Sequence, residues 1–308
     1  MSRGADSCRG FVGVSTGGSS IRTVFPRWAE ALGLPTRTLV GHDVPLDSPA
    51  GVYRDVVETI RDDPQHWGAL VTTHKMAVHA AARDLFDDCD ELAETFGEIS
   101  CIAKRGDRLV GSAKDPVTAR LALEEFLAPD HFARTGGAAL VLGSGGAGTA
   151  LTHQLGVRAD RPTEVLCTAL DRGPLDHARE IHARAGVPED LLRYETTPDA
   201  DHVSRLLRSL PPGSLVVNAT GMGKDRPGSP VPDDALFPER AVVWEFNYRG
   251  PLDFWHQALQ QQDERQLTVE DGWRYFVHGW TQAVAEVFAV PMPPDTVDEL
   301  GRIATQLR

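Results

Sequence analysis

The residues with the clearest chemical meaning are Gly143, Ser144, Gly145, Gly146, Ala147 and Gly148, a G-x-G-x-x-G run. It follows an unbroken apolar stretch, Ala138 to Leu142, and precedes a helical pattern from Thr149 to Leu155. Glycines at this spacing suit the pyrophosphate of a dinucleotide. The first permits a tight turn, the second lets the backbone approach the phosphates, and the third lets the helix pack closely on the sheet. The phosphates would sit at the positive end of that helix. A glycine-rich turn alone is common, and the setting between strand and helix is what points to a nucleotide site. An acidic residue at the end of the next strand would bind a ribose 2′-hydroxyl, and Asp171, after Glu164 to Leu170, fits. Its carboxylate favours NAD by repelling a 2′-phosphate, whereas Arg172 beside it could hold that phosphate. Both residues could equally line a solvated turn. The expected cofactor is NAD or NADP, with a lean toward NAD.

The elements around this loop alternate. Short apolar runs at Gly10 to Ser15, Arg37 to Val40 and Gly68 to Thr72 read as strands. Helical spacing is found at Ile21 to Leu32, Tyr53 to Arg61, Met76 to Leu85 and Glu91 to Thr95. Ile99 to Ala103 and Arg108 to Gly111 read as paired strands across a turn at Gly106. The segment from Ala128 to Gly137 reads as a polar connector. Beyond it, Ala138 to Leu142 has the continuous apolar character of a strand buried on both faces. A helix at about Leu175 to Ala185, strands at Leu215 to Ala219 and Ala241 to Phe246, and terminal helices at Phe276 to Phe288 and Val297 to Leu307 follow. The alternation predicts α/β architecture with mostly parallel sheets. The expected domains are residues 1–132, with C-terminal helices of about 270–308 packing back on them, and a Rossmann-type unit of residues 133–269.

Composition narrows the function classes. With 308 residues the chain has room for two ordinary domains, and its 41% apolar and 24% charged residues are a normal globular balance. A formal charge of −13 opposes a nucleic-acid surface and adhesion to anionic membranes. Met1 to Gly10 lacks the apolar run of a signal peptide, and no stretch approaches the ~20 apolar residues of a membrane span. Cys8, Cys89, Cys101 and Cys167 are scattered, which suits reduced thiols better than a disulfide framework or a zinc site. The expectation is a cytoplasmic protein with a small-molecule substrate, no metal and no nucleic-acid or membrane partner. A homodimer stays open.

Six segments, taken in order, resemble the shikimate dehydrogenase family. VTTHK, Val71 to Lys75, is similar to N-V-T-x-P-x-K, and GSAKD, Gly111 to Asp115, to G-x-N-T-D. The glycine loop is similar to that family's loop, and VVNATGMG, Val216 to Gly223, to I-N-A-T-x-x-G-M. EFNY, Glu245 to Tyr248, stands where the family has D-x-x-Y, and TQA, Thr281 to Ala283, where it has a late Q-A helix. The resemblance implies an N-terminal α/β substrate domain followed by a Rossmann-type NAD(P) domain. It also implies an oxidoreductase interconverting an alcohol and a ketone. Lys75 and Asp115 would be its catalytic pair. Ser19, Ser20, Thr72, Ser100, Tyr248 and Gln282 would line the substrate pocket. Asn218, Thr220 and Met222 would lie beside the nicotinamide ribose. His74 reads as a positioning or pocket-wall residue, and Arg22 as a group able to bind a substrate carboxylate.

The pair makes chemical sense. Hydride delivery to a ketone creates an alkoxide, so a cation or proton donor must wait at that oxygen. A lysine with a carboxylate neighbour to orient it supplies one. The departures from the family fall on the substrate side. VTTHK is one residue short and lacks the proline, Ser100 and Ala113 stand where the family has asparagine, and GGSSIR replaces S-x-S-P. A hydrogen-bonding site altered in this way shifts its preference among substrates. The expectation is therefore a divergent member acting on a shikimate-like cyclic polyol or hydroxy acid. A cyclitol or aminocyclitol dehydrogenase, or a non-catalytic dinucleotide-binding regulator, are the competing readings.

Overall fold

The computed structural model describes residues 7–224 and 226–308, which fall into two compact units. The first holds the chain up to Lys114 together with Val277–Arg308, and the second holds Asp115–Phe276.

In the first unit the chain runs β1 (Cys8–Gly13), α1 (Ile21–Ala31), β2 (Thr38–Asp43), α2 (Ala50–Asp62), β3 (His66–Val71) and α3 (Lys75–Ala82). It continues through β4 (Asp88–Cys89), α4 (Glu91–Phe96), β5 (Cys101–Arg105) and β6 (Arg108–Ser112). The strands form one sheet in the order β2-β1-β3-β5-β6-β4. β1 pairs parallel with β2 and β3, while β5 runs antiparallel to both β3 and β6. The sheet is thus mostly parallel, as the alternation of elements predicts. The β5–β6 hairpin turns at Gly106, whose φ of 64° a glycine adopts without strain. Val12, Val71 and Ile102 of the sheet pack with Val57 and Ile60 of α2 and Val78 and Ala82 of α3. Helical spacing of Val57 and Ile60 directs both to one stripe of α2.

The second unit begins with α5 (Asp115–Glu124) and α6 (His131–Thr135). A series of strands and helices follows: β7 (Ala139–Leu142), α7 (Gly146–Val157), β8 (Val165–Ala169), α8 (Arg172–Arg184), β9 (Leu192–Thr196) and α9 (Ala200–Ser209). Then come β10 (Leu215–Asn218), β11 (Val242–Glu245), α10 (Asp253–Leu259), α11 (Gln262–Arg265) and β12 (Thr268–Glu270). All six strands are parallel, in the order β12-β11-β10-β7-β8-β9, the Rossmann arrangement. β7 is buried on both faces. Ala139 and Val141 join one apolar cluster, and Leu140 and Leu142 join the other. Finally α12 (Trp273–Phe288) and α13 (Pro294–Thr305) close the chain.

Some elements escape the sequence pattern. The expected polar connector contains α6, five residues that end at Gly136, and the Asp160 carboxylate accepts from the Phe132 and Ala133 amides at 2.8 Å each. A helix that short has no periodicity to read, and its cap lies outside the segment. α9 carries Val203, Leu206 and Leu207 on one buried stripe and an Asp199 cap, so its signal was present. β9 is only partly buried, and β12 is a three-residue edge strand. Among the described residues no helix is long and apolar enough to cross a membrane, and the four cysteines are free.

Arg9 on β1 is the least expected core residue. Its side chain is fully buried, and no described residue hydrogen-bonds its guanidinium. The guanidinium lies 5.5 Å from the centroid of the Phe25 ring and 4.9 Å from that of the Trp280 ring. Burial lowers its pKa to about 10. The two cation–π contacts recover part of the desolvation cost, but five N–H donors stay unmatched. Arg9→Met should therefore leave the unfolding free energy unchanged or raise it by about 1–3 kcal/mol in urea denaturation. A loss of more than about 2 kcal/mol would show that the aromatic sandwich outweighs the desolvation.

Candidate functional site

The glycine loop occupies the turn between β7 and α7 and meets a specific set of steric demands. Gly143 has a φ of +98°, and a Cβ there would lie 2.7 Å from the Ala219 carbonyl oxygen. At Gly148 a Cβ would collide with the Gly143 carbonyl. Both glycines are thus required by the protein's own backbone. Gly145 is different: a Cβ there would meet no atom within 4 Å, and its φ of −77° is open to any residue. Gly145 is also the N-cap of α7, with no side-chain cap and no acidic residue in the first turn. The free N–H groups and positive end of a twelve-residue helix therefore face a position where only hydrogen limits backbone approach. That cradle suits a pyrophosphate. Ser144 is buried, and its hydroxyl donates to the Thr168 carbonyl at 3.0 Å, tying the loop to β8. Asp171 is the N-cap of α8 without a side-chain cap bond, Arg172 is its first residue, and both are exposed.

A polar network closes the carboxyl ends of β10 and β11. Asn218 and Glu245 are register partners and are both fully buried. The Asn218 Nδ2 donates to Glu245 Oε2 at 2.6 Å, and the Asn247 amide donates to Glu245 Oε1 at 2.7 Å. Asn218 Oδ1 accepts from the Thr220 amide at 3.1 Å and from the Thr220 hydroxyl at 2.6 Å. That hydroxyl in turn accepts from the Met222 amide at 3.1 Å. The Met222 carbonyl accepts from Asn218 Nδ2 at 3.3 Å and from Asn247 Nδ2 at 2.8 Å. Burial pushes the Glu245 carboxyl up to about 7, against the pull of its bonds with Asn247 and Asn218 and of the Lys224 charge. The structure thus brings Asn218, Thr220 and Met222 together and adds two members that the sequence reading left unassigned, Glu245 and Asn247. The only sequence signal for them was a carboxylate closing an apolar strand, which a solvated end would also explain. Tyr248, three residues further, is half-buried and packs on Trp273 and Phe276 at centroid distances of 5.8 and 4.5 Å.

In the first unit, Thr72, Lys75 and Ser100 gather at the ends of β3 and β5. Lys75 opens α3 and is half-buried. Its amide donates to the Thr72 carbonyl at 3.3 Å, and its carbonyl accepts from the Ile99 amide at 3.1 Å. The Thr72 hydroxyl points back to the Val12 carbonyl at 3.3 Å. Ser100 is buried, and its hydroxyl accepts from the Lys114 amide at 2.6 Å and donates to the Ser112 carbonyl at 3.4 Å. It therefore fixes the turn that leads into Asp115, the first residue of α5. Cys101, next to Ser100, lies 3.9 Å from the carbonyl of Ala283, the neighbour of Gln282. Ser19 is buried and Ser20 is the N-cap of α1, without a side-chain cap bond. Arg22 directs its Nε and Nη1 to the carbonyls of Thr16 and Leu39, at 3.3 and 3.4 Å. His74 is spoken for: its Nε2 donates to the Val44 carbonyl at 2.7 Å, which leaves Nδ1 to accept from the Tyr53 hydroxyl at 3.4 Å. Among the described residues no cluster of His, Cys, Asp and Glu could hold a metal.

No family model matches the chain. It is similar to a shikimate dehydrogenase (NADP(+)) of Symbiobacterium thermophilum, 31% identical over 208 residues, which cover 67% of this chain and 64% of that one. The match thus spans less than two thirds of that relative's length. A shikimate dehydrogenase (NADP(+)) of Sphingopyxis alaskensis is 28% identical over 280 residues, covering 89% of this chain and 88% of its own. Among solved structures, a quinate dehydrogenase from Corynebacterium glutamicum in complex with NAD superposes with a TM-score of 0.73 at 18% identity. That superposition covers 97% of this chain and 99% of the other, and it is a likeness of fold.

The loop geometry separates glycines that the fold needs from the glycine that it does not. Gly143→Ala and Gly148→Ala should each cost about 2 kcal/mol or more of unfolding free energy, through backbone collision and, at Gly143, an unfavourable φ. Gly145→Ala should change it by less than about 0.5 kcal/mol. Thermal and urea denaturation of the three ligand-free variants measure this, and equal costs at all three positions would refute the distinction.

Proposed function

We propose that this chain, a divergent shikimate dehydrogenase-like family member, is an NAD(P)-dependent oxidoreductase that interconverts an alcohol and a ketone on a shikimate-like cyclic polyol or hydroxy acid. The observation that carries the reading is the cradle at Gly145: an uncapped helix N-terminus, at the carboxyl end of β7, with space where a Cβ would project. An anionic pyrophosphate fits that position by charge and by size. Gly143, Ser144, Gly145, Gly146, Ala147 and Gly148 would hold the phosphates. Asn218, Thr220 and Met222 would lie beside the nicotinamide ribose, and Asp171 and Arg172 beside the adenosine ribose. The relatives named above carry NADP(+) in their names, so the lean toward NAD drawn from Asp171 is not supported. Arg172, exposed at the start of α8, is the group that would meet a 2′-phosphate.

The dinucleotide, when bound, supplies the hydride acceptor for oxidation and the hydride donor for reduction. The protein's part is the proton and the placement. Lys75 as an ammonium donates to the substrate oxygen while alkoxide character develops there, and as an amine it takes the hydroxyl proton in the opposite direction. Its backbone is pinned on one side by Thr72 and on the other by Ile99, so the side chain starts from a fixed point. Asp115 would supply the carboxylate partner of that ammonium, as the resemblance of GSAKD to G-x-N-T-D implies. Ser100 serves through the turn into Asp115, and Ser19, Ser20, Thr72, Tyr248 and Gln282 supply the hydroxyl and amide groups that recognise a ring bearing several hydroxyls or a carboxylate.

Purified protein is incubated with NADP or NAD and a panel of shikimate, quinate, cyclitols and aminocyclitols, and reduced-cofactor absorbance is followed. Turnover is expected with at least one member. Lys75→Ala should lower kcat roughly 10²- to 10⁴-fold while leaving the dinucleotide Kd within about twofold. Arg172→Ala should weaken NADP more than NAD. Tight dinucleotide binding without turnover on any compound would sink the enzyme reading and leave a binding regulator.

A further inference from the structure

Glu245 is a buried titratable group that the proposed chemistry does not use, yet it is the hub of the loop that leaves β10. Both of its oxygens accept: Oε2 from Asn218 Nδ2 and Oε1 from the Asn247 amide, at 2.6 and 2.7 Å. The orientation of the Asn218 amide is not free to change. Its Oδ1 faces the Thr220 N–H, which can only donate, so Nδ2 must point to Glu245 and to the Met222 carbonyl. A carboxylate is therefore the form that fits. A protonated carboxyl keeps one full acceptor and turns the other oxygen into a hydroxyl, a poorer acceptor for the N–H that faces it, and no flip of Asn218 restores the lost bond strength. From the hub the contacts run through Asn218 to Thr220 and through Thr220 to the Met222 amide. The same loop touches the dinucleotide cradle, because Ala219 and Thr220 are the backbone against which Gly143 packs.

We infer that Glu245 is a positioning residue, whose ionised carboxylate latches the 218–222 loop in the form that receives the nicotinamide half of the dinucleotide and whose protonation releases it. The inference rests on the dehydrogenase reading for the identity of the ligand, but the latch itself belongs to this chain alone. Burial sets the carboxyl at about 7, inside the range where enzymes work, whereas its ordinary value is 4.5. Among the described residues, the Lys224 ammonium is the charge that acts on it, and it favours the ionised form. The adjoining β12 contributes Glu270, whose own raised pKa follows from burial and the charges of Asp271 and Glu125. α10, packed on β11 through its buried Phe254 and Ala258, carries Asp253 and, exposed to solvent, His256. The sign separates a latch from plain instability. A carboxyl whose folded pKa exceeds its unfolded one binds protons more readily in the folded state, so between pH 7 and 4.5 protonation of Glu245 favours the fold as a whole. Loosening of the loop over that window cannot then be an early stage of unfolding driven by this group.

Two readouts on the full-length protein test this. Hydrogen exchange of the Thr220, Met222 and Asn247 amides is measured without dinucleotide at pH 8.5 and 5.5, corrected for intrinsic exchange. NADP and NAD Kd values are measured at the same pH values. In the wild type, protection and affinity should each fall roughly tenfold from the higher to the lower pH, the scale of one hydrogen bond to an ionised group. Glu245→Gln sets an NH₂ against one of the two donors, so protection and affinity should be low at both pH values with no titration between them. Flat protection and flat Kd in the wild type, matched by Glu245→Gln, would overturn the latch. Titrating protection in a wild type that binds neither NAD nor NADP would uphold the latch and overturn the function on which its ligand rests. Dinucleotide binding with loop amides insensitive to both pH and substitution would do the reverse.

Discussion

The in-register pairing of β7 with β10 is the constraint from which the second unit follows. Leu142 stands opposite Asn218, so the chain leaving each strand must turn away beside the other at backbone distance. Gly143 occupies that crossing, with the Ala219 carbonyl where a Cβ would be, and the Gly143 carbonyl in turn denies a Cβ to Gly148. Parallel pairing brings all six strand ends to one edge, and helix dipoles and loop amides gather there. The position of the cradle is a consequence of strand register before it is a property of any ligand.

Burial of polar groups at that edge imposes a second constraint. Asn218 and Glu245 are fully excluded from solvent, so each donor and acceptor must find a partner inside the protein. The solution is a chain of bonds running through Thr220, Met222 and Asn247, which converts a flexible turn into one conformation. Fully satisfied networks of this type are rigid, and one proton in the wrong place is costly. Arg9 shows the opposite outcome. There a buried guanidinium has aromatic faces and, among the described residues, no acceptors.

In the first unit the placement works through the backbone. Lys75 and Ser100 sit on separate segments, and the Lys75–Ile99 and Val71–Ser100 bonds hold those segments together. The departures from the family pattern acquire a physical meaning here. Ser100, shorter than an asparagine, spends its hydroxyl on Ser112 and Lys114. Ala113, the other replaced asparagine, is fully buried. Both positions thus carry a shorter or apolar side chain where an asparagine would present a longer polar one.

The sequence by itself determined the alternation of elements, the double burial of β7, the strand–glycine–helix unit and the order of the motifs. Each of these is local: periodicities of 2 and 3.6, turn residues and close spacing survive in one dimension. α6 and β12 were not legible, because five and three residues are too few to show a period and their support comes from distant partners such as Asp160. The roles of individual glycines were not legible either. Gly143, Gly145 and Gly148 are equivalent as letters, and only the three-dimensional neighbours show that two are demanded by the backbone and one is left open. Glu245 is the sharpest case. In sequence it is one acidic residue closing an apolar run, and tertiary structure alone decided that it is buried, bonded at both oxygens and poised near neutrality. Desolvation and hydrogen-bond direction depend on what surrounds an atom from every side, and a chain written as a line does not contain that information.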